Sequence, residues 1–109
     1  MISDSDIQEA VDILVREARP LKVILFGSHQ RGEARKDSDV DLLVIERHLK
    51  SRRKEMVRLR KALSPLRIPV DVRVTSEDHV RSSWADFPGS YLYDALREGK
   101  VLYDVEAPS

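Results

Sequence analysis

The residues best suited to chemistry are Gly27-Ser28 and Asp39-Val40-Asp41, with ten positions between the serine and the first aspartate. Each group follows or begins an apolar run. Residues 22–26 and 40–45 are rich in β-branched and aliphatic side chains, and read as strands buried on both faces. Gly27 ends the first run, and a residue without Cβ lets a phosphate lie directly against the backbone. Ser28 adds a hydroxyl and its own N–H; a helical turn starting there would turn free amides and a positive dipole end toward the same phosphate. Side chains two apart leave a strand on the same side, so Asp39 and Asp41 point one way. Paired carboxylates of this kind suit a hard divalent cation such as magnesium, which takes oxygen ligands and is often shared with substrate phosphates.

A third carboxylate is offered by Val70-Asp71-Val72-Arg73-Val74, where the valines alternate onto one face and Asp71 and Arg73 project from the other. Asp71 completes a cluster of three if its strand lies beside the Asp39/Asp41 strand, as sequential strands joined by a helix commonly do. Three converging carboxylates repel one another unless cations sit among them. Two metal ions about 3.5–4 Å apart are the recurring device for in-line phosphoryl displacement.

With Gly27-Ser28, Arg31-Gly32, Ser38-Asp39-Val40-Asp41-Leu42-Leu43-Val44 and Asp71 in place, nearly the whole chain resembles the minimal nucleotidyltransferases of the polymerase-beta-like superfamily. Gln30 stands where relatives often carry alanine ahead of Arg-Gly. The resemblance implies two Mg2+ ions held by Asp39, Asp41 and Asp71, with Asp71 the ligand nearest the attacking hydroxyl. Gly27 and Ser28 would contact the triphosphate of an NTP, with ATP the expected donor of AMP. It also implies a partner: such proteins often act beside a small all-helical HEPN-type toxin, as antitoxins that adenylylate a tyrosine on it. Two other readings stay open. One is a non-catalytic antitoxin or adaptor that neutralises its partner by binding, and the other is an RNA-binding or RNA-modifying module.

The elements that must position these residues follow from periodicity. The expected fold is α/β (α+β) of the polymerase-beta-like type, a mixed sheet of about four strands with helices chiefly on one face and the site at the sheet's exposed edge region. Residues 5–18 place Ile7, Ala10, Val11, Leu14 and Ala18 at helical spacing, with Ser5 and Gln8 spaced as a capping box and Pro20 closing the helix. Residues 29–38 form a polar surface excursion containing Arg31, Arg35 and Lys36, of which Arg31 is the candidate for triphosphate oxygens. A second helix over 51–64 buries Met56, Leu59 and Leu63 and ends at Ser64-Pro65. Beyond Asp71, Ser76 caps a short helix running toward Trp84, and Asp86-Phe87-Pro88-Gly89 makes a turn. A last helix over 90–98 presents Leu92, Ala95 and Leu96, Gly99 stops it, and residues 100–103 form a final strand with Val101 and Tyr103 alternating.

The helix at 51–64 has a basic outer face: Lys50, Arg52, Arg53, Lys54, Arg58, Arg60 and Lys61 are offset nearby only by Glu55. This run reads either as a solvated face or as a contact surface for RNA phosphates or an acidic protein. Across all 109 residues the charge is balanced, with 19 basic and 19 acidic side chains, so no global field draws in a polyanion. The length suits a single domain over 1–109, leaving selection of the acceptor to a partner. Without cysteine, disulfides and thiolate metal sites are excluded. Neither a leader nor a long apolar span is visible, and the expected location is cytoplasmic. His29, His48 and His79 share no metal-ligand spacing and read as solvated. Trp84, Phe87, Tyr91 and Tyr93 read as sheet packing.

Overall fold

The computed structural model describes residues 2–34, 38–82 and 90–106, with Tyr91 described in its backbone alone. Arg35, Lys36, Trp84, Phe87 and the turn at 86–89 lie outside the described residues.

Helix α1 (Asp4–Ala18) starts one turn-position earlier than its spacing suggested. Ser3, not Ser5, is the cap: its Oγ accepts from the Asp6 N–H at 3.2 Å, and the Asp6 carboxylate accepts from the Ser3 N–H at 2.9 Å. A carboxylate suits that position better than the amide of Gln8, because the helix N-terminus is its positive end. Gln8 instead donates to Asp12, one turn along the helix. Arg19 closes the helix in the left-handed conformation (φ 46°), ahead of Pro20.

Then come β1 (Lys22–Phe26), α2 (Ser28–Arg31), β2 (Val40–Glu46), α3 (Arg52–Leu63), β3 (Val70–Ser76), α4 (Glu77–Val80), α5 (Tyr91–Glu98) and β4 (Lys100–Asp104). Ser51, Ser76 and Ser90 cap α3, α4 and α5 through their hydroxyls. The strands make one mixed sheet in the order β3-β2-β1-β4, with β2 and β3 parallel and β1 antiparallel to both β2 and β4.

The two-residue period of the strands sorts their side chains into two cores. On one face Val23, Leu25, Val40, Leu42, Val44, Val72 and Val74 pack under α1 and α3, meeting Ile7, Ala10, Val11, Leu14, Leu59 and Leu63. On the other, Ile24, Phe26, Leu43 and Ile45 pack under Leu92 and Ala95 of α5. The two long helices thus share one face, and the shorter α5 covers part of the second. Beyond the part that α5 covers, β2 and β3 present Asp41, Asp71 and Arg73 on that second face in place of aliphatic side chains.

In the C-terminal third Gly99 stops α5 as expected, while its conformation, the pairing of β4 and the place of Tyr93 differ from expectation. Gly99 is extended (φ −71°, ψ 158°) and is needed for closeness, since a Cβ there would overlap the Ala95 carbonyl and the Ile24 side chain. In β4, Tyr103 pairs with Val23 and Val101 with Ile24, so Leu102 is an extra residue in a bulge. Alternation is lost: Leu102 and Tyr103 both pack on the α1 side, while Val101 is 49% exposed. Tyr93 lies beneath the Arg97 guanidinium, 5.1 Å from its ring centre, rather than in the sheet core. Among the described residues no helix is long and apolar enough to cross a membrane.

Candidate active site

Strand register brings the chemistry together. Asp41 lies opposite Phe26 on one side and Asp71 on the other, so the end of β1 and the starts of β2 and β3 meet side by side. Immediately after Phe26 the chain turns at Gly27 with φ 79°, a region L side chains rarely adopt. A Cβ at Gly27 would overlap the Asp41 carboxylate oxygen and lie 3.1 Å from its Cγ. The carboxylate therefore rests against the backbone of the Gly-Ser turn, and glycine is required there twice over. The helical turn expected at Ser28 is present as α2, closed by the Arg31 N–H on the Gly27 carbonyl at 3.2 Å and by Gly32 in the left-handed conformation.

Two hydrogen bonds hold the start of β2 in place. His29 Nε2 donates to the Ser38 carbonyl at 3.0 Å, pinning the residue before Asp39 back to the α2 turn. The histidine read as solvated is thus partly buried and structural. A lone histidine after Gly-Ser carries no signal of this, because its partner lies across the polar excursion. On the other side the Val40 N–H donates to the Pro69 carbonyl at 2.8 Å, which sets the parallel register of β2 and β3 from their first residues.

Charge is unevenly compensated. Burial is the main cause that pushes the Asp41 carboxyl above its usual range; the nearby Asp71 and Asp39 carboxylates push the same way, while Arg73 and His29 oppose them. Asp71 has closer countercharges: Arg60 Nη2 and Arg73 Nε each stand 3.6 Å from its oxygens. Arg73 was legible as a same-face neighbour two residues on. Arg60 was not; it reaches from α3, on the opposite face, around the β3 edge of the sheet. Arg31 is paired with Glu33 at 3.2 Å and stays 44% exposed. The structure thus brings Gly27, Asp41 and Asp71 together, keeps Ser28 and Asp39 beside them in sequence, and leaves Arg31 on the rim.

The donor set suits magnesium in its chemistry: the carboxylates offer only oxygen, and Asp41 sits in a surplus of negative charge that a divalent cation would neutralise. Among the described residues no three acidic or histidine side chains are drawn closely enough to enclose an ion, Asp71 being turned toward its two arginines.

Among solved structures the chain is similar to a toxin-antitoxin with AMP-PNP, at 22% identity over 91% of this chain and 74% of that one, with a TM-score of 0.63. It is similar to a variant of the toxin-antitoxin MntA-HpeT at 20% identity, covering 91% and 73% of the two chains, with a TM-score of 0.63. A protein described as a minimal nucleotidyltransferase matches at 29% identity over 92% of this chain and 95% of that one, with a TM-score of 0.60. No protein of curated function matches. Residues 7–100, which run from α1 into β4 and include Gly27, Ser28, Arg31, Asp39, Asp41 and Asp71, match the model of the nucleotidyltransferase domain. The chain belongs to that family and is a nucleotidyltransferase.

Proposed function

We propose that this nucleotidyltransferase moves AMP from ATP to a tyrosine hydroxyl of a HEPN-type toxin, and so acts as its antitoxin. One observation carries the reading: Asp41 pairs with Asp71 across adjacent parallel strands while the Gly27 backbone lies against Asp41. This arrangement supports neighbouring positions for phosphate, cation and acceptor on one face. Asp39 and Asp41 would hold two Mg2+ with the nucleotide, and Asp71 would share in them on the acceptor side. Bound there, magnesium supplies neutralisation of the α-phosphate and a lowered pKa for the acceptor. The Gly27 backbone and the Ser28 hydroxyl and N–H bind phosphate oxygens, and Arg31 on the rim adds a cation. The tyrosine oxygen bonds to the α-phosphorus as the bond to pyrophosphate breaks, and Asp71 receives the hydroxyl proton. The protein's share is positioning and electrostatics.

The similar structures support the donor and the partner. One contains AMP-PNP, an ATP analogue, and two are toxin-antitoxins. The test is label transfer from α-phosphate-labelled ATP with magnesium into a lysate of the source cells, comparing the wild type with Asp71→Asn. Protease-sensitive label absent with the variant is the expected result and locates the partner band. Nuclease-sensitive label would move the acceptor to RNA, and no label would favour an antitoxin that acts by binding.

A further inference from the structure

The sheet ends at β3 on the side of Asp71, and the surface there is cationic with apolar spots. Arg53 and Arg60, seven residues apart on α3, lie on one face of the helix two turns from each other. Between them Val57 is 46% exposed, and Lys61 follows beside Arg60. Arg60 then lines a cleft of about 170 Å³ with Leu63, Leu66, Ile68 and Val70. The one acid of α3, Glu55, is taken by Arg58 in two hydrogen bonds, and Glu17 of α1 is taken by the same guanidinium at 3.6 Å. On the Arg53–Arg60 stripe Arg60 pairs with Asp71 itself, and both arginines that reach this carboxylate remain about half exposed, at 53% and 46%.

We propose that this α3–β3 edge docks an acidic protein segment, with aspartate or glutamate and an aliphatic residue flanking the hydroxyl that accepts the nucleotide. Guanidinium forks match carboxylates geometrically, and the exposed valine and the leucine- and isoleucine-lined cleft take an aliphatic side chain. A protein fits better than RNA. Single-stranded RNA is gripped by stacking bases on aromatic side chains, and neither α3 nor β3 contains one. The balanced charge of the chain also offers no long-range pull on a polyanion, so recognition falls to this local patch. The position of the hydroxyl beside Asp71 rests on the transferase reading, whereas the docking itself does not.

The test is fluorescence anisotropy of the full chain with a labelled peptide in which glutamates and a leucine flank one tyrosine. A peptide with lysines for the glutamates and a single-stranded oligoribonucleotide serve as comparisons. The acidic peptide should bind more tightly than either and weaken as salt rises. Combining Arg53→Glu with Lys61→Glu should raise its Kd by about tenfold or more, and Val57→Ser by about threefold. The neutral pair Arg53→Gln and Lys61→Gln covers the case in which reversal disturbs folding. All variants should keep the melting shift given by ATP and magnesium. Equal binding of the acidic and lysine peptides, no response to the neutral pair, or tighter binding of the oligoribonucleotide would overturn the proposal. Because the assay needs neither nucleotide nor turnover, docking can stand where label transfer fails, and the reverse.

Discussion

At its first end β2 sets Asp41 beside Asp71 and Asp39; at its last it sets Glu46 beside Glu55 of α3. Asp41 and Glu46 are perturbed for the same leading reason, burial, reinforced by a neighbouring carboxylate. Their countercharges differ. Arg58 grips Glu55 with two hydrogen bonds of 2.7 and 2.9 Å, so Glu55 is held in its ionised form. Glu46, pushed up to about 8, keeps its proton through neutral pH and shares it with Glu55. Arg58 also reaches Glu17, and the whole group fastens the first turns of α3 to the end of β2 and to α1. At the other end Arg60 and Arg73 approach Asp71, while Asp41 is left against a glycine backbone. A carboxylate pair whose countercharge comes from within the fold closes the structure. One whose charge is only partly matched is left for a ligand.

That contrast can be broken by substitution. Asp41→Asn should lower nucleotide transfer by on the order of 10²–10³-fold or more, because it removes an oxygen ligand at the reacting phosphate. Asp39→Asn and Asp71→Asn should behave alike. Asp41→Asn should melt no lower than wild type, since a part-buried charge crowded by neighbouring carboxylates is removed, whereas Asp71→Asn gives up its pairing with Arg60 and Arg73; turnover near wild type in any of the three would put the chemistry elsewhere. Gly27→Ala should destabilise the fold by about 1–3 kcal/mol in urea titration, from backbone strain and overlap with Asp41.

The other end should answer to pH and not to chemistry. Glu46 binds its proton more tightly folded, near 8, than its ordinary 4.5. Across that window the native state holds the extra proton, so its contribution is full below about 4.5 and is lost as pH rises toward 8. The Glu46→Gln variant, which keeps a donor toward Glu55, should flatten this fall in melting temperature and leave transfer intact; lost transfer would erase the distinction between the two ends. Smallest of all, Ser28→Ala should weaken ATP binding by about 0.5–1.5 kcal/mol in calorimetry, the worth of one hydrogen bond.

Much of the molecule was legible because its signals are local. Apolar β-branched runs produced β1, β2 and β3 nearly to the residue, and the i, i+2 spacing put Asp71 and Arg73 on one face. Capping was legible at Ser76, showed only as a helix start at Ser51 and Ser90, and was misplaced at α1, where Ser3 and Ser5 compete within one turn and only the geometry of Asp6 decides. The bulge at Leu102 was not legible, since it answers to the partner strand rather than to its own neighbours.

Local pattern sufficed for most of the elements, for the glycine that must turn between β1 and α2, and for the side of each strand on which its carboxylates stand. Long-range packing was needed to set Asp41 opposite Asp71, to bring His29 to Ser38 and to carry Arg60 around the sheet edge. The reason is physical. Periodicity orients a side chain relative to its own strand or helix, but which residue lies opposite is set by interstrand hydrogen bonds and by packing of two cores at once, between segments far apart along the chain.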